Sequence, residues 1–279
     1  MILMLKNKLA YLPIVFLFSV NLINGQTVSN SVSVELEKLF GRLAKSLNDS
    51  VKIQVNDSIR CIVESYVESD TVFNHKFNNL RYLGQVTSPD SVLKIVTWNL
   101  VLINKPGRYY SYIIKKQTNG NRNLIYRLTA DYNSGHIRTD TTYSADNWYG
   151  ALYYDIRTNT LNDPIYWVLL GIDYGNPMIT RKIIEILNFT PYDKIQFGMK
   201  LFSTPDTIKY REVFEYSSSA TISLRFANDG SIVFDHLIPF SPEQTNDRQF
   251  YGPQYSNDAY IREDGLWRLN INVDARNIE

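Results

Sequence analysis

Residues 221–237, TISLRFANDGSIVFDHL, contain the β-hairpin pattern on which the fold class depends. Apolar and polar residues alternate on both sides of Asn228-Asp229-Gly230, and a left-handed Gly230 would close the two runs with a three-residue loop. In this register one face carries the side chains of Ile222, Leu224, Phe226, Ile232, Phe234 and His236. The opposite face carries those of Ser223, Arg225, Val233 and Asp235. The stretch therefore predicts two antiparallel strands with one continuous apolar face.

A similar pattern of short strand-like runs extends over residues 79–279. Short runs rich in Val, Ile, Tyr, Phe and Thr are separated by Gly, Pro, Asn and Asp, which is typical of antiparallel strands and turns. The runs predict strands at 80–87, 92–102, 108–116, 123–130, 148–156, 165–172, 208–216, 221–227, 231–237, 259–262 and 266–273. Residues 176–188 fit a helix or a strand equally, and 239–258 are predicted to form a long ordered loop. The pattern predicts a mainly β domain: an antiparallel meander arranged as a propeller, barrel or sandwich.

A helical hairpin is predicted before the strands, in an N-terminal helical segment at 26–78. Apolar residues recur at three- and four-residue steps over 33–47, with Ser33 as the candidate N-cap. A second apolar stripe at 59–67 predicts another helix, capped by Asn56 or Asp57, with 48–50 in the turn. The chain is thus expected to begin its folded part with two packed helices.

Residues 1–25 have the pattern of a secretory signal peptide. Lys6 and Lys8 precede a predominantly apolar run at 9–23, and Gly25 suits the last position before cleavage. A membrane-spanning helix needs about 20 predominantly apolar residues, and this run is shorter and contains Pro13. The sequence predicts an exported protein, periplasmic or secreted, with no stable transmembrane span after cleavage.

The charge and cysteine content exclude several classes of protein. Without Lys6 and Lys8, the 29 Lys and Arg residues become 27 against 28 Asp and Glu, so no basic field favours nucleic acid. Cys61 is the single cysteine, so no intramolecular disulfide can form. It is predicted to be a buried, inert thiol on the second helix.

No catalytic, metal or cofactor motif stands out, so the catalytic residues are unknown and no metal or cofactor is predicted. Adjacent residues of a strand point to opposite faces, so Asp235 and His236 are not expected to act as a dyad. His236 is interpreted as a hydrogen-bonded core histidine. A carboxylate-dependent hydrolase would need a pair such as Glu215 with Asp235 or Asp173.

Aromatic residues are the main departure from average composition, with 20 Tyr and 4 Trp. Aromatic rings stack on sugars and anchor protein interfaces. The candidate ligand-binding residues are therefore Trp148, Tyr149, Tyr251 and Tyr255, and the expected ligand is a glycan or an envelope protein.

Four short stretches, in this order, carry a resemblance: Thr97-Trp98-Asn99, NWYGALYY at 147–154, FDHL at 234–237 and YGP at 251–253. Over about residues 80–279 the chain resembles a family of uncharacterised exported proteins of Gram-negative bacteria. The resemblance implies export and the bacterial envelope as compartment, and it implies no site. From the sequence we expect a non-catalytic envelope or secreted binding protein, with a glycan hydrolase as the alternative and a purely structural envelope component as a third class.

Overall fold

The computed structural model describes residues 25–78, 80–117, 122–133, 135–159 and 165–274. The fold-class prediction is confirmed: the chain is mainly β, with antiparallel sheets, one of them curled into a half-barrel, and two N-terminal helices. The predicted signal peptide lies outside the described residues, apart from Gly25. Among the described residues, no helix has the length and apolarity needed to cross a membrane.

The two helices are α1 (Gly25–Lys45) and α2 (Asp49–Val67). The strands are β1 (Gly84–Thr87), β2 (Leu93–Leu100), β3 (Arg108–Lys115), β4 (Leu124–Asp131), β5 (Tyr143–Ser144), β6 (Leu152–Asn159), β7 (Tyr166–Asp173), β8 (Ile179–Phe189), β9 (Ile195–Phe197), β10 (Phe202–Ser203), β11 (Ile208–Lys209), β12 (Glu212–Ser217), β13 (Leu224–Phe226), β14 (Ile232–Pro239), β15 (Tyr251–Glu263) and β16 (Leu266–Val273). Three-residue 3₁₀ turns lie at Ala145–Asn147, Pro242–Gln244 and Arg248–Phe250. The ambiguous segment 176–188 is therefore largely strand β8.

Both predicted helix starts are wrong. Ser33 lies inside α1, and α2 begins before Asn56. Asn48 caps α2, because its side-chain oxygen accepts hydrogen bonds from the backbone N–H groups of Ser50 (2.8 Å) and Val51 (3.2 Å). Asn56 is instead buried, and its side-chain oxygen accepts a 2.9 Å hydrogen bond from Trp98 Nε1.

The prediction that Cys61 is buried is also wrong, because the thiol is exposed. Ile59 and Val63 define the buried side of α2. Cys61 follows Ile59 by two positions, which is about 200° around a helix, so it points away from that side. It lines an open groove between α2 and β4.

The strands form three sheets. The first has the order β1-β2-β3-β4, the middle one β5-β9-β8-β7-β6 with β12 also on β8, and the third β11-β10-β16-β15-β14-β13. All pairs are antiparallel except β10 with β16. The helices cover one face of the first sheet, and its other face packs on the middle sheet. The third sheet covers the far face of the middle sheet.

The buried strands of the middle sheet show why their sequence lacks alternation. In β7, Trp167 and Leu169 face the first sheet, whereas Val168 and Leu170 face the third. Both faces of this strand are covered, so apolar residues occupy successive positions. This layering also gives the chain interior space for many of its aromatic rings.

The hairpin at 221–237 forms as predicted near its loop. Gly230 has φ +88°, Phe226 pairs with Ile232, and Leu224 pairs with Phe234. The predicted long loop at 239–258 is wrong: β14 continues to Pro239, and β15 already begins at Tyr251. The connection is confined to residues 240–250 and contains two 3₁₀ turns.

The predicted strand at 208–216 divides into two. β11 belongs to the third sheet and β12 to the middle sheet, so the chain crosses between sheets at residues 210 and 211. This crossing shapes one wall of the site described next.

Candidate functional site

Two of the four aromatic candidates lie in the core between the first and middle sheets or at its edge. Trp148 is 4% exposed, and its indole N–H donates to Tyr153 Oη at 2.9 Å. Tyr149 is partly buried and donates its hydroxyl hydrogen bond to Glu185 Oε2 at 2.9 Å. Each of the two side chains thus forms a hydrogen bond with another side chain of the protein.

The other two candidates lie near each other in the sequence of β15. Tyr251 is 6% exposed, and its hydroxyl donates to the Thr245 carbonyl at 2.6 Å. Tyr255 is fully exposed. The structure packs Tyr251 and the Trp148–Tyr149 pair into separate clusters, so the four residues do not form one platform.

An open cleft of about 370 Å³ lies where the middle and third sheets meet. Its wall comes from β11, β12, β14 and β15, from the segment after β4 and from the 3₁₀ turn before β15. The charged, histidine and tyrosine side chains that line it are His136, Lys209, Glu212, Glu215, Asp235, His236, Arg248, Asp258 and Tyr260. The half-buried ring of Phe214 lies among them.

A bulge in the pairing of β14 with β15 lies at His236. Asp235 pairs with Asn257 and Leu237 pairs with Pro253, so a single residue of β14 faces three residues of β15, at 254–256. Such a bulge breaks strict alternation and re-aims side chains. Both Asp235 and His236 line the cleft. His236 contacts Asp258, the register partner of Phe234, so it stays on the Phe234 side of β14, whereas Asp235 contacts Asn257 and the backbone of Ser223.

His236 forms an ordered pair with Asp258. Its Nδ1 lies 2.7 Å from Asp258 Oδ2, and Asp258 Oδ1 accepts a 3.1 Å hydrogen bond from the Asn272 backbone N–H. The His236 side chain is 30% exposed, and its Nε2 has no partner among the described residues. A carboxylate on Nδ1 fixes the ring and leaves Nε2 available to a ligand or a water molecule.

The buried guanidinium of Arg181 fixes the carboxylate of Glu215. Arg181 Nε donates to Glu215 Oε1 at 2.8 Å, and Arg181 Nη1 donates to Asp173 Oδ2 at 2.8 Å. The exposed His136 places its Nδ1 3.4 Å from Glu215 Oε1. Asp173 is therefore a buried partner of Arg181, whereas Glu215 reaches the cleft.

Glu212 is fixed in the same wall. Lys209 Nζ lies 2.9 Å from its Oε1, and Tyr260 Oη donates to its Oε2 at 2.6 Å. Burial, followed by the nearby charge of Glu212, raises the pKa of Tyr260 far above its usual value, so the hydroxyl remains a donor. The wall thus presents carboxylates in fixed positions.

Arg211, at the crossing between sheets, supports β12 from the interior. Its Nε donates to Glu185 Oε2 at 2.7 Å, and neither side chain is exposed. The remaining guanidinium N–H groups donate to the carbonyls of Arg138, Thr141 and Phe197. Burial raises the pKa of Glu185, an effect that the charge of Arg211 partly offsets.

Sequence reasoning named Glu215, Asp235 and His236 but missed Glu212 and Asp258. Asp258 was placed in a loop, and the pairing that brings it to His236 spans 22 residues. No local sequence motif predicts that contact. Among the described residues, no group of three or more His, Cys, Asp or Glu side chains is placed to hold a metal ion.

Comparison with known proteins adds no family to this description. No family model, curated protein or solved structure matches the chain.

Proposed function

We propose that this chain is an exported, non-catalytic binding protein of the periplasm or the extracellular space, and that its cleft binds a short glycan. The observation that carries the proposal is the wall of fixed carboxylates around His236. Sugar hydroxyls donate hydrogen bonds to carboxylate oxygens, and an imidazole nitrogen can accept or donate one.

The cleft has open hydrogen-bonding positions for such a ligand. His236 Nε2 has no partner among the described residues, and Glu215 uses its Oε1 for Arg181 and His136. Phe214 adds an apolar ring to the same wall. Because a sugar ring combines apolar C–H faces with polar hydroxyls, this mixture of side chains suits a saccharide better than a purely apolar compound.

The size of the cleft favours a small ligand over a protein. Small-molecule sites enclose about 300–1,000 Å³, and this cleft encloses about 370 Å³. A stable protein interface needs roughly 800 Å² of flat complementary surface on each partner. A protein partner would have to use surface beyond the cleft.

A thermal-shift screen of residues 26–279 against envelope and dietary glycans tests this proposal. A ligand at 100 times its dissociation constant stabilises the fold by about 2.7 kcal/mol. The shift should disappear in H236A. It should remain in Y192A, because Tyr192 is exposed in the turn between β8 and β9. A panel without any saturable shift would contradict the proposal.

A hydrolase is the second candidate, because Glu215 and Asp235, the carboxylates named from sequence, do share one cleft. The pairing of His236 with Asp258 also has the orientation of a general base and its positioning carboxylate. Any glycan that binds should therefore be incubated with the protein and assayed for new reducing ends. Turnover that is lost in H236A would favour the hydrolase, whereas binding without turnover would favour the binding protein.

A further inference from the structure

Four buried polar atoms that have no hydrogen-bond partner among the described residues lie at one end of the space between the middle and third sheets. They are Asn159 Nδ2, Tyr166 Oη, Arg262 Nη1 and Trp267 Nε1. The side chains of Asn159, Tyr166 and Trp267 are each more than nine-tenths buried. Buried polar groups in folded proteins are nearly always hydrogen-bonded, so a cluster of four requires an explanation.

The strand register brings the four side chains together. Asn159 pairs with Tyr166 across β6 and β7, and Arg262 pairs with Trp267 across β15 and β16. Directly opposed residues of an antiparallel pair share a face. Tyr166 and Trp267 belong to the same core cluster, so the two pairs face each other across the gap between the sheets. Arg262 connects them, with its Cζ 5.4 Å from the Tyr166 ring centre and 5.8 Å from that of Trp267.

All four atoms can donate a hydrogen bond, and three of them can only donate. Arg262, which is partly buried, differs from the buried Arg181 and Arg211. Arg181 and Arg211 each contact a carboxylate at 2.7–2.8 Å, whereas Arg262 Nη1 has no partner in the part of the chain that the structure describes. Burial lowers the pKa of Arg262 with no offsetting charge. Among the described residues, none of the four donors has an acceptor, and a negatively charged one would satisfy both the donors and the cation.

The tryptophans provide an internal comparison. The indole N–H groups of Trp98, Trp148 and Trp167 donate to Asn56, Tyr153 and Asp90, respectively. Of the four indole N–H groups, that of Trp267 is buried with no partner in the described ranges. This indole is therefore a specific reporter of whatever fills the cluster.

We propose that Arg262, Trp267, Tyr166 and Asn159 form a binding site for a small oxyanion, either a carboxylate or a phosphate group. The site lies one same-face pair further along β15 and β16 than Tyr260 and Leu269, which line the cleft. It is therefore a neighbour of the cleft with different chemistry: donors and a cation instead of carboxylates. The proposal does not depend on the cleft binding a glycan.

The test is a titration of the ¹⁵N-labelled chain, residues 26–279, with sodium phosphate and separately with sodium acetate, followed in the tryptophan indole N–H region. The Trp267 signal, assigned by its loss in W267F, should move downfield and saturate, because its proton gains an anionic acceptor. The other three indole signals should move little. The salt that saturates at the lower concentration distinguishes a phosphate from a carboxylate site.

R262Q should raise the dissociation constant at least tenfold, because it removes the cation but keeps a hydrogen-bonding side chain. R268Q is the matched control: Arg268 lies in β16 near surface acids and should leave the titration unchanged. If R262Q does not fold, R262K should still weaken binding, because an ammonium lacks the guanidinium fork.

Two results would overturn the proposal. One is a Trp267 signal that neither anion moves, which would leave buried water as the partner of the donors. The other concerns Asp163, an acid of the segment 160–164 between β6 and β7. If D163N shifts the Trp267 signal without added salt, and anions then bind only to D163N, the acceptor belongs to the chain.

Discussion

Replacing Arg211 by Met should destabilise the protein strongly, because it leaves a buried carboxylate without its cation. In the native chain, neither the Arg211 nor the Glu185 side chain is exposed, and Nε lies 2.7 Å from Oε2. R211M keeps most of the side-chain volume, so lost charge and hydrogen bonds dominate over lost packing. Glu185 would retain only the hydroxyl of Tyr149 and the backbone N–H of Ile186.

The expected loss of stability follows because Glu185 would be buried without a counter-charge. Removing one partner of a buried ion pair costs about 3–5 kcal/mol. At roughly 2–4 °C per kcal/mol for a chain of this size, the melting temperature should fall by about 6–20 °C. E185Q/R211M should recover much of the loss, because a neutral amide needs no counter-charge.

The stability lost in R211M should also depend on pH, and the pKa of Glu185 sets the direction. Burial raises the folded-state pKa of Glu185 above the ordinary value of 4.5. The stabilisation linked to this group is then complete below pH 4.5 and is lost as the pH rises through the folded-state pKa. Removing Arg211 raises that pKa further, so R211M should lose less stability in acid than at neutral pH.

Urea unfolding of the wild type, R211M, E185Q and the double variant, each in acid and at neutral pH, measures the stability lost in R211M and how that loss depends on pH. A cost of R211M below about 1 kcal/mol, or one that does not change with pH, would refute the role of the buried pair. An additive double-mutant cycle would refute the direct coupling of the two side chains.

Three further predictions follow from single positions. G198A should lower the free energy of unfolding by about 1–3 kcal/mol, since Gly198 has φ +95° and an added Cβ would lie 2.5 Å from Arg211 Nη2. G230A is the control in the same melting experiment: Gly230 also has a positive φ but faces open space, so the loss should be smaller. Cys61 should react with a thiol reagent in the native protein at a rate close to that in urea, because it is exposed; strong protection would contradict its place on α2. Burial lowers the folded-state pKa of Lys94 to about 8, so its stabilising contribution is complete above pH 10.5 and is lost as the pH falls through about 8; this slope of stability with pH should flatten in K94M.

The parts of the fold that sequence predicted are those governed by local pattern. The hairpin closed by Gly230 has the expected register at Leu224–Phe234, because alternation and turn chemistry are local signals. α2 was predicted to begin too late because its first turns lack a strong apolar stripe, and the capping by Asn48 was read as a turn. The predicted loop at 239–258 contained a strand whose partners are set by the sheet and not by its own residues.

The cleft could be predicted only in part, since it depends on contacts between distant strands. Alternation placed His236 on the apolar face of its strand, but the partly exposed position at the cleft and the contact with Asp258 depend on the neighbouring strand. Asp258 lies opposite Phe234 in the pairing of β14 with β15, which brings it next to His236. The aromatic composition suggested a surface platform, yet three stacked sheets place Trp148 in the interior, and Tyr255 alone of the four candidates is fully exposed.

The central claim is that the cleft beside His236 binds the ligand, and a crystal structure of the chain with the glycan that gives the largest thermal shift tests it most directly. We expect the glycan between β12 and β15, with a hydroxyl within hydrogen-bonding distance of His236 Nε2 and another near Glu215. A glycan bound elsewhere, for example on the groove between α2 and β4, with the cleft holding only water, would contradict the claim.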